Sequence, residues 1–424
     1  MYHSVIGKKL VASLNRRDGT NYTVREFFDE VYVPLFFGSE RLLQYVNNSP
    51  FDQTFSKQKK PYSPELLHQC LTAVHGKVVT AEPDASFYLG GPAAGVAETT
   101  SGQVTALKIP TPDEDVYASW IGAALGLTVQ GGMTLLIDAE DVLLATYDGW
   151  CEYRRFLDQT PRLKGLQVNA WNGQWIAHGF HDGSFFESVT NKDGTALETA
   201  SWVRLLFALS AHYRASPIER PMAYVYSLGQ SNTTLGFVRL NLQAVEGLYD
   251  IYRRLFSAPE GMPHARFAEL YETERGFRAA CAQTEIGLKA LKPKDVFQAQ
   301  SQIPKPPQAT DQKHVSFDIY QTWIIAMLKN EELNTKARQI ADALARLQEQ
   351  GKRAKTDHSQ KIKSVLEKRN RREFIEALTD LVSDDVASNS LFDTLVDDIV
   401  ALPADHVPLF LTLLRFKYAI ASKR

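Results

Sequence analysis

Three cysteines are too few and too scattered to hold this chain together. Cys70, Cys151 and Cys281 are the only ones in 424 residues. An odd number at such separations is neither a disulfide framework nor a zinc cluster, and it fits a reducing compartment. No stretch approaches the roughly 18 uninterrupted apolar residues of a membrane helix. The opening MYHSVIGKKLVASLNRRDG also lacks the continuous apolar centre of a secretory signal. A cytoplasmic protein without membrane contact is expected. The net charge of −2 excludes a surface coated throughout with nucleic acid, so any such binding must be local.

Catalytic and cofactor signatures are missing as well. Across residues 84–112, Gly90, Gly91, Gly95 and Gly102 punctuate two strand-like runs, but Val96 follows Gly95 where the Walker pattern needs a lysine. The dinucleotide fingerprint lacks its third glycine in register. Thr99, Thr100, Ser101 and Gln103 read as turn or cap residues, with phosphate contact as the alternative. Asp138, Glu140 and Asp141 stand at a strand end, where carboxylates can hold a divalent ion. Leu143 occupies the position a nuclease gives to lysine, so a helix cap is the simpler reading. His178, His181 and Asp182 are the best metal-like cluster, but zinc wants three or four ligands and no partner set is visible. No catalytic residue, metal or cofactor is expected.

What is present is enough chain for two or three cored domains. Residues 1–80 read as helical, with Thr23 an N-cap and Pro34 an end or kink. Phe27, Phe28, Tyr32, Phe36 and Phe37 recur at helical spacing and so belong to the core rather than to a base-stacking platform. A basic, proline-bearing loop follows at 57–64. Residues 113–160 read helix, strand, helix, broken near Gly149. Residues 161–200 read as β-rich, with hairpin signals at Asn172-Gly173 and Asp182-Gly183. A helix over 201–215 closes before Pro217, and a hairpin with arms Ala223–Ser227 and Leu235–Leu240 follows. Its tip carries Gln230, Ser231, Asn232, Thr233 and Thr234, amides and hydroxyls suited to base edges and phosphates, though Asn and Gly also simply build turns. Residues 262–300 return to helix, where Glu285 and Lys289 are spaced as an i,i+4 pair and Cys281 is buried and inert.

The fold class is therefore α+β. A mixed α/β part with β-hairpins spans 1–300, as one domain or as two subdomains parting near 160 or 200; a proline-rich linker, 301–315, leads to a helical bundle, 316–424. In the bundle Leu333, Ala337, Ile340, Leu344 and Leu347 keep the spacing of a seam. Its charges segregate. Lys352, Arg353, Lys355, Lys361, Lys363, Lys368, Arg369, Arg371 and Arg372 stand against only Asp357 and Glu367, and eight acids without a base fill 376–405. On one helix from Ser359, the residues Lys361, Lys368 and Arg372 would share a side. A basic run is usually a solvated face, and the anionic run is a possible internal partner, but this density favours nucleic-acid backbone.

An α/β part without a catalytic motif, a linker and a basic terminal bundle together resemble the large subunit of a type I CRISPR surveillance (Cascade) complex. The resemblance is one of architecture along the whole chain. It implies a non-catalytic antiviral protein with guide RNA, target DNA and other subunits as partners, and a separate nuclease-helicase for cutting. It would make the Gln230–Thr234 loop a reader of the motif flanking the target and the bundle's cations backbone contacts. Met327 lies where some such genes restart translation to make a separate small subunit. Two rival readings are a metal-dependent nuclease using Asp138, Glu140 or Asp182, and a scaffold whose bundle binds an acidic protein.

Overall fold

Thr23 caps a helix in both directions, accepting from the Glu26 amide while the Glu26 carboxylate accepts from the Thr23 backbone N–H. This geometry comes from a computed structural model that describes residues 1–80, 87–91, 111–180, 189–215, 221–227, 234–256, 264–271, 276–282, 284–293, 311–354, 358–382 and 389–422. The chain divides into two compact units, Met1–Gln243 with Thr273–Gly287 and Ala244–Glu272 with Leu288–Arg424. The architecture is α+β, with a small mixed sheet and a helical C-terminal region.

In the first unit α1 (Tyr2–Asp18) precedes α2 (Val24–Phe27), a π-helical turn (Phe28–Tyr32) and α3 (Val33–Phe37). Pro34 therefore does not end the helix. The widened turn ahead of it absorbs the missing donor. Phe27, Phe28, Tyr32, Phe36 and Phe37 are all at most 2% exposed, so they form core and not a stacking platform. Tyr32 stacks on Phe36 at 4.3 Å and Phe37 on Phe51 at 4.3 Å. After α4 (Pro64–Thr80) and α5 (Asp113–Ala124), strands β1 (Leu127–Val129) and β2 (Met133–Ile137) lead into α6 (Glu140–Gln159).

Two expected features of this region are replaced. α6 runs straight through Gly149, because that glycine seats the ring of Trp175, whose Cδ1 lies 2.6 Å from where a Cβ would stand. Residues 168–179 are not a hairpin but a helix, α7 (Val168–Gly179). Asn172 is buried and gives its amide to the carbonyls of Ala124 and Gly126 at 2.7 and 3.0 Å. A Cβ on Gly173 would sit 2.3 Å from the Thr128 carbonyl. The Asn-Gly pair thus serves close packing of α7 on β1, and burial of Trp171 and Ile176 overrides its turn propensity. Strand character in 189–200 is limited to isolated bridges, such as Thr190 with Leu197.

Following α8 (Trp202–His212), capped by Ser201, the expected hairpin forms from β3 (Met222–Ser227) and β4 (Thr234–Leu240). The sheet order is β1-β2-β3-β4-β5, antiparallel except that β5 (Glu285–Ile286) joins β4 in parallel. The predicted Glu285–Lys289 helical pair is therefore absent: Glu285 lies on a strand and accepts from Asn241 Nδ2 at 2.7 Å.

The second unit begins inside α9 (Leu242–Phe256), whose Ile251, Leu255 and Phe256 pack against the bundle core. A boundary at 300 misses this, since an amphipathic face does not reveal which core it joins. In the same unit lies α10 (His264–Ala268), while α11 (Gly276–Ala282) belongs to the first. α12 (Asp311–Leu328) starts inside the expected linker, four residues past its last proline, Pro307, where nothing further denies the backbone a donor. α13 (Glu332–Ala354) carries the seam, with Leu333, Ala337, Ile340, Leu344 and Leu347 all buried. α14 (Ser359–Glu367), α15 (Arg371–Val382), α16 (Asn389–Ala401) and α17 (Val407–Ala421) complete the bundle. Among the described residues no helix is long and apolar enough to cross a membrane.

Candidate nucleic-acid interface

The basic run does not lie on one helix. α14 stops at Glu367, and Lys368 turns to extended backbone with φ −67° and ψ 149°. The cause is remote in sequence: Arg415 on α17 donates to the carbonyls of Leu366 and Lys368, satisfying the end of α14 in place of a further turn. Asn370 then restarts the helix, its Oδ1 accepting from the Glu373 amide at 2.9 Å. Lys361, Lys368 and Arg372 consequently do not share a side. Burial, with Arg369 alongside, pulls the Arg415 guanidinium below its ordinary pKa, and Glu367 offsets part of that.

The break creates a pocket. Arg369, Asn370, Arg371 and Arg372 line a surface cavity of about 320 Å³ together with Ala404 and Pro408. One side is thus the first turn of α15 and another the first turn of α17, which has Pro408 in its opening positions. The pocket thus lies beside the positive poles of two helix dipoles. Arg371 is anchored by a hydrogen bond to the Leu402 carbonyl, which closes the C-terminal end of α16, and its Nε is a buried donor without a partner. Arg372 is 89% exposed at the side chain and holds Glu376 at 2.8 Å, a contact that raises its pKa. An exposed pair of this kind is readily exchanged for another anion.

The remaining cations are placed differently. Lys361 donates to the Asp380 carbonyl at 3.1 Å, and Lys363 pairs with Glu367 at 3.8 Å. Lys352 and Arg353 fall on the last turn of α13. Lys355 lies outside the described residues. Acids of the 376–405 run find partners on several elements. Asp398 pairs with Lys336 and Asp405 with Lys289 at 3.9 Å, while Glu376 pairs with Arg372 of the basic stretch. Of the hairpin tip, Gln230, Ser231, Asn232 and Thr233 lie outside the described residues, and Thr234 opens β4 exposed, 3.2 Å from the Tyr224 hydroxyl.

No family model, curated protein or solved structure matches this chain. Of the carboxylates in the nuclease reading, Asp138 pairs with Lys9 and Glu140 with Arg16 at 2.9 Å; the neighbouring Asp141 meets His212 at 2.6 Å and Tyr213. His178 is buried on α7, 3.1 Å from Arg204, while His181 and Asp182 lie outside the described residues. Sequence reasoning missed Asn370, Ala404, Pro408 and Arg415. Asn370 carried a legible cap signal, an asparagine ahead of a helical run; the other three are brought in by tertiary packing. What the pocket can do is bind an anion. Guanidinium groups present planar forks that fit phosphate oxygens, and the helix ends add aligned dipoles.

Proposed function

We propose that this chain is a nucleic-acid-binding protein whose C-terminal bundle grips phosphate at the Arg369–Arg372 turn. The observation that supports this reading is the convergence of three arginines on one open pocket at the positive ends of α15 and α17. Arg371 fixes the pocket's shape, and Arg369 and Arg372 supply the grip. On this reading the chain is a non-catalytic subunit that works in the cytoplasm on guide RNA and target DNA beside other protein subunits. The order of its parts suits the large subunit of a type I CRISPR surveillance complex, with the Gln230–Thr234 loop meeting the target-flanking motif and a separate nuclease-helicase cutting.

Filter binding of the full chain to a labelled DNA duplex across a salt series tests the pocket. The Arg369→Glu/Arg372→Glu variant should bind more weakly, with a log–log salt slope shallower by about 0.9 for each phosphate that it no longer neutralises. Arg155→Glu, which changes the same charge on an exposed residue of α6 paired with Glu152 of its own helix, should bind like the unaltered chain. Equal affinity and slope for the double variant and the unaltered protein would refute the assignment.

A further inference from the structure

Phe237 stands out among the aromatic side chains. It is 49% exposed, in a chain whose other large rings are mostly core. It lies opposite Tyr224 in the β3–β4 ladder, and three rings meet there: Phe237 to Tyr224 at 5.3 Å, Phe237 to Tyr2 at 4.9 Å edge-on, and Tyr2 to Tyr224 at 5.3 Å. Tyr224 is further fixed through its hydroxyl and Thr234. The presentation is built into the strands. The register shifts between Val225 and Tyr226, and Gly236, with φ +93°, adopts a backbone that an L side chain rarely takes. A bulge of this kind re-aims the next side chain. Two residues on, and so on the same face, Arg239 is exposed and without a carboxylate partner among the described residues. Its ladder neighbour on β5, Glu285, is held by Asn241.

We infer that the Phe237 ring, braced by Tyr2 and Tyr224, is a stacking platform for one base of a single-stranded nucleic acid, with Arg239 receiving an adjacent phosphate. The charge beside the ring decides the class of ligand. An aliphatic protein partner would gain nothing from an unpaired guanidinium at the edge of its contact, whereas a nucleotide carries its phosphate within reach of its base. A braced ring also costs little ordering when a base lands on it. The inference rests on the nucleic-acid reading above but uses a different unit and different residues, so each can fail alone.

The test measures fluorescence anisotropy of the full chain with a labelled dT oligonucleotide and with an abasic oligonucleotide of equal length. The unaltered protein should bind the dT strand more tightly. Phe237→Ala should weaken dT binding by roughly 5- to 150-fold, leave abasic binding unchanged and leave the salt slope unchanged, because stacking displaces no counterions. Phe237→Trp should retain dT binding, and Arg239→Ala should lower the single-strand slope by about 0.7. Equal affinity of the unaltered chain for both strands overturns the platform while leaving the phosphate pocket standing; binding to neither strand overturns the nucleic-acid reading itself. A Phe237→Ala variant that changes oligomeric state and keeps its dT affinity identifies the patch as a protein contact and also overturns the platform.

Discussion

Replacing Lys417 with methionine, together with Gln321→Leu, should stabilise the protein at neutral pH and lose that advantage in alkali. Lys417 on α17 is 7% exposed and its ammonium donates to Gln321 Oε1 on α12 at 2.8 Å. Burial first, and then Arg338 on α13, push its pKa down from 10.5 to about 8, with Asp318 on α12 offsetting part of the effect. In the folded chain the amine holds its proton less tightly than in the unfolded one. Below about pH 8 both states are protonated and the folded state carries the full cost. Between there and 10.5 the folded amine releases its proton while the unfolded one keeps it, so stability rises with pH. At about 1.4 kcal/mol per tenfold change in proton affinity, the cost is ~3 kcal/mol. Losing the hydrogen bond subtracts ~1 kcal/mol. The double variant should thus exceed the unaltered protein by ~2 kcal/mol near pH 7 and fall about 1 kcal/mol short of it above pH 10.5. Urea midpoints followed by far-ultraviolet circular dichroism at both pH values measure the difference. A gap of one size at both would refute the reasoning, as would a variant weaker at both.

Two further outcomes follow from packing and burial. Gly173→Ala should cost ~1–3 kcal/mol, since its Cβ meets the Thr128 carbonyl, while Gly247→Ala, inside α9 with nothing within 4 Å, should gain up to about 1 kcal/mol; thermal melts separate the two signs. Iodoacetamide should label the exposed Cys151 first in the folded protein and spare Cys281, whose thiol burial pushes up to about 12, as peptide mass mapping would read out.

The parts of the fold legible in the sequence are those whose signal is local. Thr23 and Glu26 announce their own cap, the β3–β4 hairpin alternates along both arms, and Leu333 to Leu347 mark a seam that buries as spaced. Where the signal has two meanings, reading fails. Asn172-Gly173 spells a turn or a tight helix–strand contact in the same letters, and only the Thr128 carbonyl opposite decides. Gly149 likewise reads as a breaker until Trp175 is seen lying on it. For the site, the cationic run was visible, but its shape was not. Arg415, 49 residues beyond Leu366, interrupts the helix that would have lined the cations up. The pocket's far wall comes from Ala404 and Pro408, residues with no chemistry of their own to advertise.

The early start of α12 bears on the internal methionine at 327. A polypeptide begun there would discard almost all of that helix, including Phe317, which meets Phe416 at 4.3 Å, and the buried Ile324 and Ile325. It would also strip the Lys417 ammonium of its acceptor, Gln321. Nor would it carry Ile251, Leu255 and Phe256, which α9 contributes to the same core from before the proline-rich stretch. The bundle is therefore not a detachable module cut at a start codon. Its hydrophobic closure is inherited from three separate stretches of the gene, and an independent small subunit would have to be supplied with a substitute for the first two.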